Sequence, residues 1–295
     1  MEIFTCSIFP HLTRIWYDYT RKVLGKDISI TIYDCSGALQ NSWIKGATVQ
    51  KFKNIEHGLK IDAFLKKSNS NLVLVTDDDA FIRDAKLVGK IQEKMEMNKN
   101  LAIYSCHERD HWSYQLDNKK IWPIGTYTFT VNKEILLNEK ISLRSVQTTE
   151  NWVNSGKGYW DTANYTQYLL LQKGYDIESI PLAIDSPVST MFGTSSGFVT
   201  WFKKSFFNSS FKLKNTFDRY KEELPNNKYL FERTLGVVAI LDLYKDVYNE
   251  EPVVFPISYA ELLVIGNHFI ENDERILQRI NDSIKLLSNT LLSKQ

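Results

Sequence analysis

NLVLVTDDDAFI, residues 71–82, is the stretch on which the fold turns. Leu72 to Val75 are four consecutive apolar residues, with no polar position to mark a wet face. Such a run reads as a strand buried on both sides, as in the middle of a mostly parallel sheet. Thr76 follows, and then three carboxylates in a row: Asp77, Asp78 and Asp79. Adjacent acids repel one another and a strand end needs none of them. Their place at the mouth of a core calls for a chemical reason.

Outward from this strand, the pattern alternates. Residues 28–33 alternate apolar and polar at period two before an Asp-Cys-Ser-Gly turn, which predicts a strand; 48–52 predicts a weaker one. A short helix is expected over 59–65, and Leu87, Val88, Ile91 and Met95 have helical spacing. Strands are expected at 101–105, 126–131 and 177–180, and a helix over 162–173 stopped by Gly174. This order predicts an α/β domain with helices on both faces of a mostly parallel central sheet. From residue 198 the texture becomes aromatic and basic, then helical over 228–249 and in a final amphipathic stretch ending near Leu291. A boundary is expected near 197, giving a catalytic domain over 1–197 and a helical C-terminal extension over 198–295.

The 295 residues are 43% hydrophobic and 13% aromatic, enough for a large core, and the net charge of +1 gives no electrostatic case for nucleic acid. No stretch approaches the roughly 18 apolar residues of a membrane span, and the start lacks the basic and apolar regions of a secretory signal. Cys6, Cys35 and Cys106 are odd in number and lack metal-type spacing, so buried thiols are expected. A cytoplasmic protein is the expectation.

Carboxylates at the carboxyl end of a sheet strand point at the ligand crevice of open α/β folds. Hard divalent cations, Mg²⁺ or Mn²⁺, prefer oxygen ligands and are commonly held by one or two carboxylates plus substrate phosphates. In extended backbone, Asp77 and Asp79 project to one side and Asp78 to the other. A cation shared by the same-side pair relieves their repulsion. The bland alternative is a solvated loop whose acids cap the helix starting near 85.

These residues resemble the nucleotide-diphospho-sugar glycosyltransferases of the GT-A (Rossmann-like) fold, particularly the family-2-like inverting enzymes, in which an apolar strand ends in a metal-binding D-x-D. The resemblance implies that Asp79 binds the metal holding the diphosphate and that Asp77 lies near the ribose or the metal's water shell. Asp34, Gly58, Asp77 and Asp78 become nucleotide-site candidates, and Asp62 falls where the family has a polar residue near the nucleotide. For Asp34 an Asx turn before Ser36-Gly37 is an equal alternative. Downstream, GYWDTANYTQYLLLQKGYDIESIP (158–181) resembles the family's acid-acid-helix-Lys-Gly-Tyr signature. That makes Asp161 the general base for the acceptor hydroxyl, though a helix-start Asp is also a favoured cap. The chain departs from the pattern in three ways. Trp160 replaces the first acid, the downstream histidine ligand is missing (with Asp185 a substitute metal candidate), and no Q-x-x-R-W motif occurs. The resemblance covers roughly residues 1–190.

It implies a metal-dependent inverting glycosyltransferase using a nucleotide-diphosphate sugar donor and a glycan or lipid-linked acceptor, in glycan or surface polysaccharide biosynthesis. Rivals are a nucleotidyltransferase, disfavoured because IFPHLTR after the first strand has no glycines, and a non-catalytic nucleotide-sugar binding module. CHERDH (106–111) gathers Cys106, His107, Asp110 and His111, but no second cluster completes a zinc site. A substrate-side loop is the better reading, with His107 or Glu108 near sugar hydroxyls. Residues 198–214 read as a packed linker or a peripheral membrane contact through aromatics and lysines. The final helix suits packing or homo-oligomerisation.

Overall fold

The computed structural model describes residues 1–109, 112–148, 158–181, 186–191, 193–205 and 210–293. A seven-stranded sheet forms its centre, from β1 (Glu2–Ser7), β2 (Ser29–Asp34), β3 (Thr48–Lys51), β4 (Leu72–Thr76), β5 (Leu101–Ser105), β6 (Thr128–Asn132) and β7 (Asp176–Ser179). The order is β7-β5-β6-β4-β1-β2-β3. Only β6 runs antiparallel to its neighbours, β4 and β5; the other four pairings are parallel. The carboxyl ends of β1, β2, β4, β5 and β7 therefore share one edge with the amino end of β6.

The apolar run of β4 divides its side chains between two cores. Leu72 and Leu74 join one cluster, together with Ile3, Ile30 and Ile32. Val73 and Val75 join the other, with Phe4, Tyr33, Phe129 and Val131. Two-sided burial is why no polar residue interrupts the strand. The first cluster lies under α1 (Pro10–Leu24) and α3 (Lys86–Met97), and the second under α2 (His57–Leu65) and α4 (Asn164–Gln172). α1 opens on Pro10, whose missing N–H costs nothing at a helix start. α4 is followed by Gly174 at φ 82°, the left-handed stop expected there.

The C-terminal part adds α5 (Thr194–Trp201), α6 (Lys228–Tyr248) and α7 (Arg275–Leu291). The boundary expected near 197 falls inside α5. Phe198, Trp201, Leu235, Ile240, Ile280 and Leu287 lie in the same cluster as Ile3 and Leu74, so the C-terminal helices cover one face of the sheet. The aromatics of 198–214 turn inward: Phe198, Trp201 and Phe202 are buried and Phe211 packs on the core, while Phe206 and Phe207 lie outside the described residues. α7 packs the face carrying Ile276, Ile280, Ser283 and Leu287. No helix among the described residues is long and apolar enough to cross a membrane.

Gly58, one residue into α2, shows how closely this frame is packed. A Cβ placed there would meet the Leu143 carbonyl oxygen at 2.2 Å and Arg144 Cα at 2.6 Å. Backbone atoms cannot swing aside. Gly58→Ala is therefore expected to lower unfolding stability by about 1–3 kcal/mol in a urea melt, the usual range for overpacking.

Candidate active site at the carboxyl edge of the sheet

β4 leaves the core at Thr76 and the chain turns at once, with the Ala80 N–H donating to the Asp77 carbonyl at 3.2 Å. Residues Ala80–Ile82 then pair antiparallel with Val188–Thr190, and the Met191 N–H donates to the Asp79 carbonyl at 3.0 Å. This ribbon brings the start of α5 back to the aspartates.

The turn separates the three carboxylates. Asp77 keeps the parity of Val75 and faces α2, with His57 Nε2 3.8 Å from its Oδ1 and 36% of its side chain accessible. Asp78 goes to the opposite side, accepting from Thr13 Oγ1 at 2.8 Å and Ser195 Oγ at 2.5 Å. Asp79 accepts the Thr194 backbone N–H at 2.9 Å, at the amino end of α5, and the Arg233 guanidinium lies close enough to feel its charge. Extended backbone predicts Asp77 and Asp79 together; the turn instead sends Asp78 and Asp79 inward and leaves Asp77 open. Asp78 and Asp79 are only 3% and 4% exposed.

Burial and mutual repulsion dominate the electrostatics. Burial, then Asp79, Asp78 and Asp161, push the Asp77 carboxyl well above its usual range, although its accessible surface lets water soften that push. Asp78 is pushed up to about 7 by burial first and Asp79 second. Burial likewise raises Asp79, against the opposing N–H groups of Thr194 and Gly193.

Asp161 reaches the same crevice from the other side. It follows the short strand Tyr159–Trp160, which pairs with Val146–Gln147. Its Oδ2 accepts from Arg109 Nη2 at 2.8 Å, and the same nitrogen lies 2.8 Å from Thr126 Oγ1. Its Oδ1 accepts the Thr162 N–H at 2.8 Å. Two residues on, buried Ala163 sits at φ 62°, pinned by its N–H to the Leu143 carbonyl at 2.8 Å. A non-glycine residue held left-handed stores strain, and such strain gathers at functional sites. Asp77 feels Asp161 and Arg109, and His57 feels Asp161, so these four groups share one crevice. Burial, then the Lys60 charge, depresses His57 to about 4, which leaves its imidazole neutral at pH 7.

The remaining candidates have local partners. Both Asp34 oxygens are taken by the turn after β2, accepting from Ser36 Oγ at 2.6 Å, Gly37 N–H at 2.7 Å and Leu39 N–H at 3.4 Å. That is the Asx-turn arrangement. Asp62 holds the loop before Asp161 through Ser142 Oγ and the Leu143 N–H. Trp160 is fully buried among Trp112 and Tyr114, whereas its neighbour Tyr159 is 47% exposed. His107 stacks on Tyr127 at 3.5 Å between centroids, and burial drives it down to about 3. Glu108 accepts from Ser179 Oγ at 2.7 Å. Asp110, His111 and Asp185 lie outside the described residues. Among the described residues no group of three or more His, Cys, Asp or Glu side chains forms a metal cage.

Sequence reasoning missed His57, Arg109 and Glu56. Glu56 caps α2 through the Gly58 and Leu59 N–H groups, each at 3.0 Å, and reaches Ser145 Oγ at 2.9 Å and Thr162 Oγ1 at 3.3 Å. It therefore ties α2 to the Asp161 segment. Its signal was the Glu-His-Gly entry to a helix; Arg109 had none, because its partner is 52 residues away.

No family model and no curated protein matches the sequence. Among solved structures, the chain is similar to a mannosyltransferase from Pyrobaculum calidifontis in complex with GDP-Man and Mn²⁺ (11% identity, covering 100% of this chain and 87% of that one, TM-score 0.45). It is also similar to a CMP:2-keto-3-deoxy-manno-octonic acid synthetase complexed with CTP (10%, 61% and 89%, TM-score 0.41). A third is glucosyl-3-phosphoglycerate synthase from Mycobacterium tuberculosis, with Mn²⁺, UDP and phosphoglyceric acid (9%, 61% and 68%, TM-score 0.40). These likenesses concern overall shape, and the chemistry of this chain rests on its own residues. The fold class is the expected one: a mostly parallel sheet flanked by helices, with a helical C-terminal part.

The raised Asp78 carboxyl gives a signed pH test. Its folded value, about 7, lies above the ordinary 3.8, so the folded state holds a proton that the unfolded chain releases. Its contribution is fully present below about 4 and is lost as pH rises to about 7, at no more than about 1.4 kcal/mol per pH unit. His11, His57 and His107, all depressed, act in the opposite sense and cancel in a comparison with Asp78→Asn. Chemical denaturation across pH 4 to 7 is expected to show wild type losing stability relative to Asp78→Asn; a flat difference refutes the assignment.

Proposed function

We propose that this chain is a metal-dependent glycosyltransferase that moves a sugar from a nucleotide-diphosphate donor to a hydroxyl acceptor with inversion. The observation that carries this reading is that Asp77 and Asp161 meet at the carboxyl edge of the sheet, where open α/β folds take their ligands: His57 lies 3.8 Å from Asp77, and its neighbour Glu56 accepts from Thr162, next to Asp161, at 3.3 Å. The donor set fits a hard divalent cation, Mn²⁺ or Mg²⁺: the ligands are oxygens, and burial and the neighbouring acids push the Asp77 carboxyl up, a shift that a bound cation would reverse. Asp77, the open member of the trio, would hold it together with substrate phosphates, with Asp185 a further candidate. Bound there, the ion neutralises the departing diphosphate. Asp161 takes the acceptor's proton as its oxygen bonds to the anomeric carbon. Arg109 and the Thr162 N–H fix the Asp161 carboxylate so that it points at one place. Neutral His57 offers a hydrogen bond to substrate oxygen, and exposed Tyr159 an aromatic face beside the acceptor. Asp34, Gly58 and Asp78 support the nucleotide side by shaping the turns and helix entry around it.

The nucleotidyltransferase reading fits less well. Only Ile8 and Phe9 separate β1 from α1, which leaves no room for a glycine-rich phosphate loop. A lipid-linked acceptor belongs to the same reading: exposed Lys203 and Lys212 would meet the anionic cytoplasmic face of a membrane.

A thermal-shift screen of nucleoside diphosphates and their sugars tests the donor half. One nucleotide should stabilise the protein only with Mn²⁺ or Mg²⁺, by about 2.7 kcal/mol at 100 times its Kd, and Asp77→Asn should abolish the effect. If no nucleotide stabilises under any metal, the reading is withdrawn. For the transfer half, Asp161→Asn should bind donor normally and lose about 10²- to 10⁴-fold in turnover. Unchanged turnover in that variant would remove Asp161 from the chemistry.

A further inference from the structure

The cysteines do not behave as three isolated buried thiols. Cys106 is buried, but Cys6 and Cys35 are partly exposed and free. They stand at the carboxyl ends of the adjacent parallel strands β1 and β2, and both pack on the core cluster beneath α2. The Cys35 N–H still donates to the Ser7 carbonyl at 2.9 Å, so the chains remain paired where the side chains meet. Cys6 lies opposite Tyr33 in the parallel register, so Cys35, two residues on, belongs to the same face of the sheet, and each thiol acts on the charge state of the other.

Lys60 completes the group. It is only 3% exposed, its Nζ donates to Asn54 Oδ1 at 3.0 Å, and its charge acts on the Cys35 thiol. Among the described residues no carboxylate lies within 4.0 Å of this ammonium. A buried charge needs a counter-charge, and a Cys35 thiolate supplies one. The neighbouring Cys6 thiol pulls the Cys35 thiol below its usual range, with the Lys60 charge helping against an opposing effect of burial, while Cys6 is pushed well up by Cys35 and then by burial. The buried lysine beside Cys35 marks that sulfur as the nucleophile, with Cys6 as the thiol that resolves it.

We propose that Cys35 and Cys6 form a covalent modification site that reacts with a hydroperoxide and closes to a reversible disulfide between the ends of β1 and β2. The Cys35 thiolate attacks one peroxide oxygen; the O–O bond breaks, and the leaving alkoxide or hydroxide takes a proton from water. Cys35 becomes a sulfenic acid. The Cys6 sulfur then attacks Cys35, the S–O bond breaks, and the departing hydroxide takes the Cys6 proton as water. Two thiols are oxidised and one peroxide is reduced to an alcohol, or to water, plus a second water. The inference does not depend on the transferase reading.

The test uses the reduced full-length protein and stoichiometric hydrogen peroxide. Intact mass should fall by two hydrogens and be restored by dithiothreitol, with peptide mapping joining Cys6 to Cys35 and leaving Cys106 reduced. Cys6→Ser should stop at a dimedone-trappable sulfenic acid on Cys35, and Cys35→Ser should abolish both products. In the folded protein, iodoacetamide should modify Cys35 at least about tenfold faster than Cys106. Lys60→Met should remove most of that advantage, and Lys60→Arg, which keeps the charge, should retain it. Oxidation beginning at Cys6 or Cys106, no disulfide at all, or a Cys35 rate indifferent to Lys60→Met each overturns the proposal.

Discussion

Two buried carboxylates join the end of the central strand to the helices behind it, and the rest of the site depends on that junction. Asp79 accepts the Thr194 N–H at the amino end of α5, and Asp78 accepts the hydroxyls of Thr13 and Ser195. Hydrogen bonds to charged groups contribute about 1.5–3 kcal/mol each, and an unmatched buried carboxylate costs more than that. The junction therefore fixes where β4 ends, how the chain turns and where the C-terminal helices dock. Asp77 is left as the member of the trio with accessible surface. Burial raises all three carboxyls, and repulsion from their neighbours raises Asp77 and Asp78 further, the tension a bound cation would relieve.

A second constraint operates across the crevice. Asp161 sits on a segment held at several points: Glu56 reaches Thr162 and Ser145, Asp62 holds Leu143, and Ala163 is kept left-handed by its bond to the Leu143 carbonyl. Gly58 is present because that segment's backbone passes too close for a Cβ. Residues that a motif would mark as nucleotide contacts thus serve first to hold the base candidate still. Support of this kind is what a reacting carboxylate needs, since small misplacements cost large factors in rate.

Much of the architecture was readable because it is written locally. An unbroken apolar run means burial on two faces, and β4 divides its side chains between two clusters accordingly. Gly174 stops a helix because its backbone is left-handed there. The site was legible in part. Asp77 and Asp161 were named from the chain, but Arg109 and His57 were not, since one meets its partner across 52 residues and the other gains its meaning from Asp77 opposite. Asp77 and Asp79 part company at a turn, because period two holds only while backbone stays extended.

The sequence by itself determined the strand ends, the helix faces and the carboxylates at the mouth of the core, since hydrophobic periodicity and turn chemistry are properties of near neighbours. Only the tertiary structure decided which aspartate stays open and which are consumed as internal ties. It also decided that Phe198, Trp201 and Phe202 pack inward, and that two cysteines far apart in the chain meet at adjacent strand ends beside a buried lysine. These outcomes depend on what the fold brings alongside: a helix start, a guanidinium, a second thiol. A carboxylate or a thiol takes its charge state from those neighbours, and no stretch of sequence contains them.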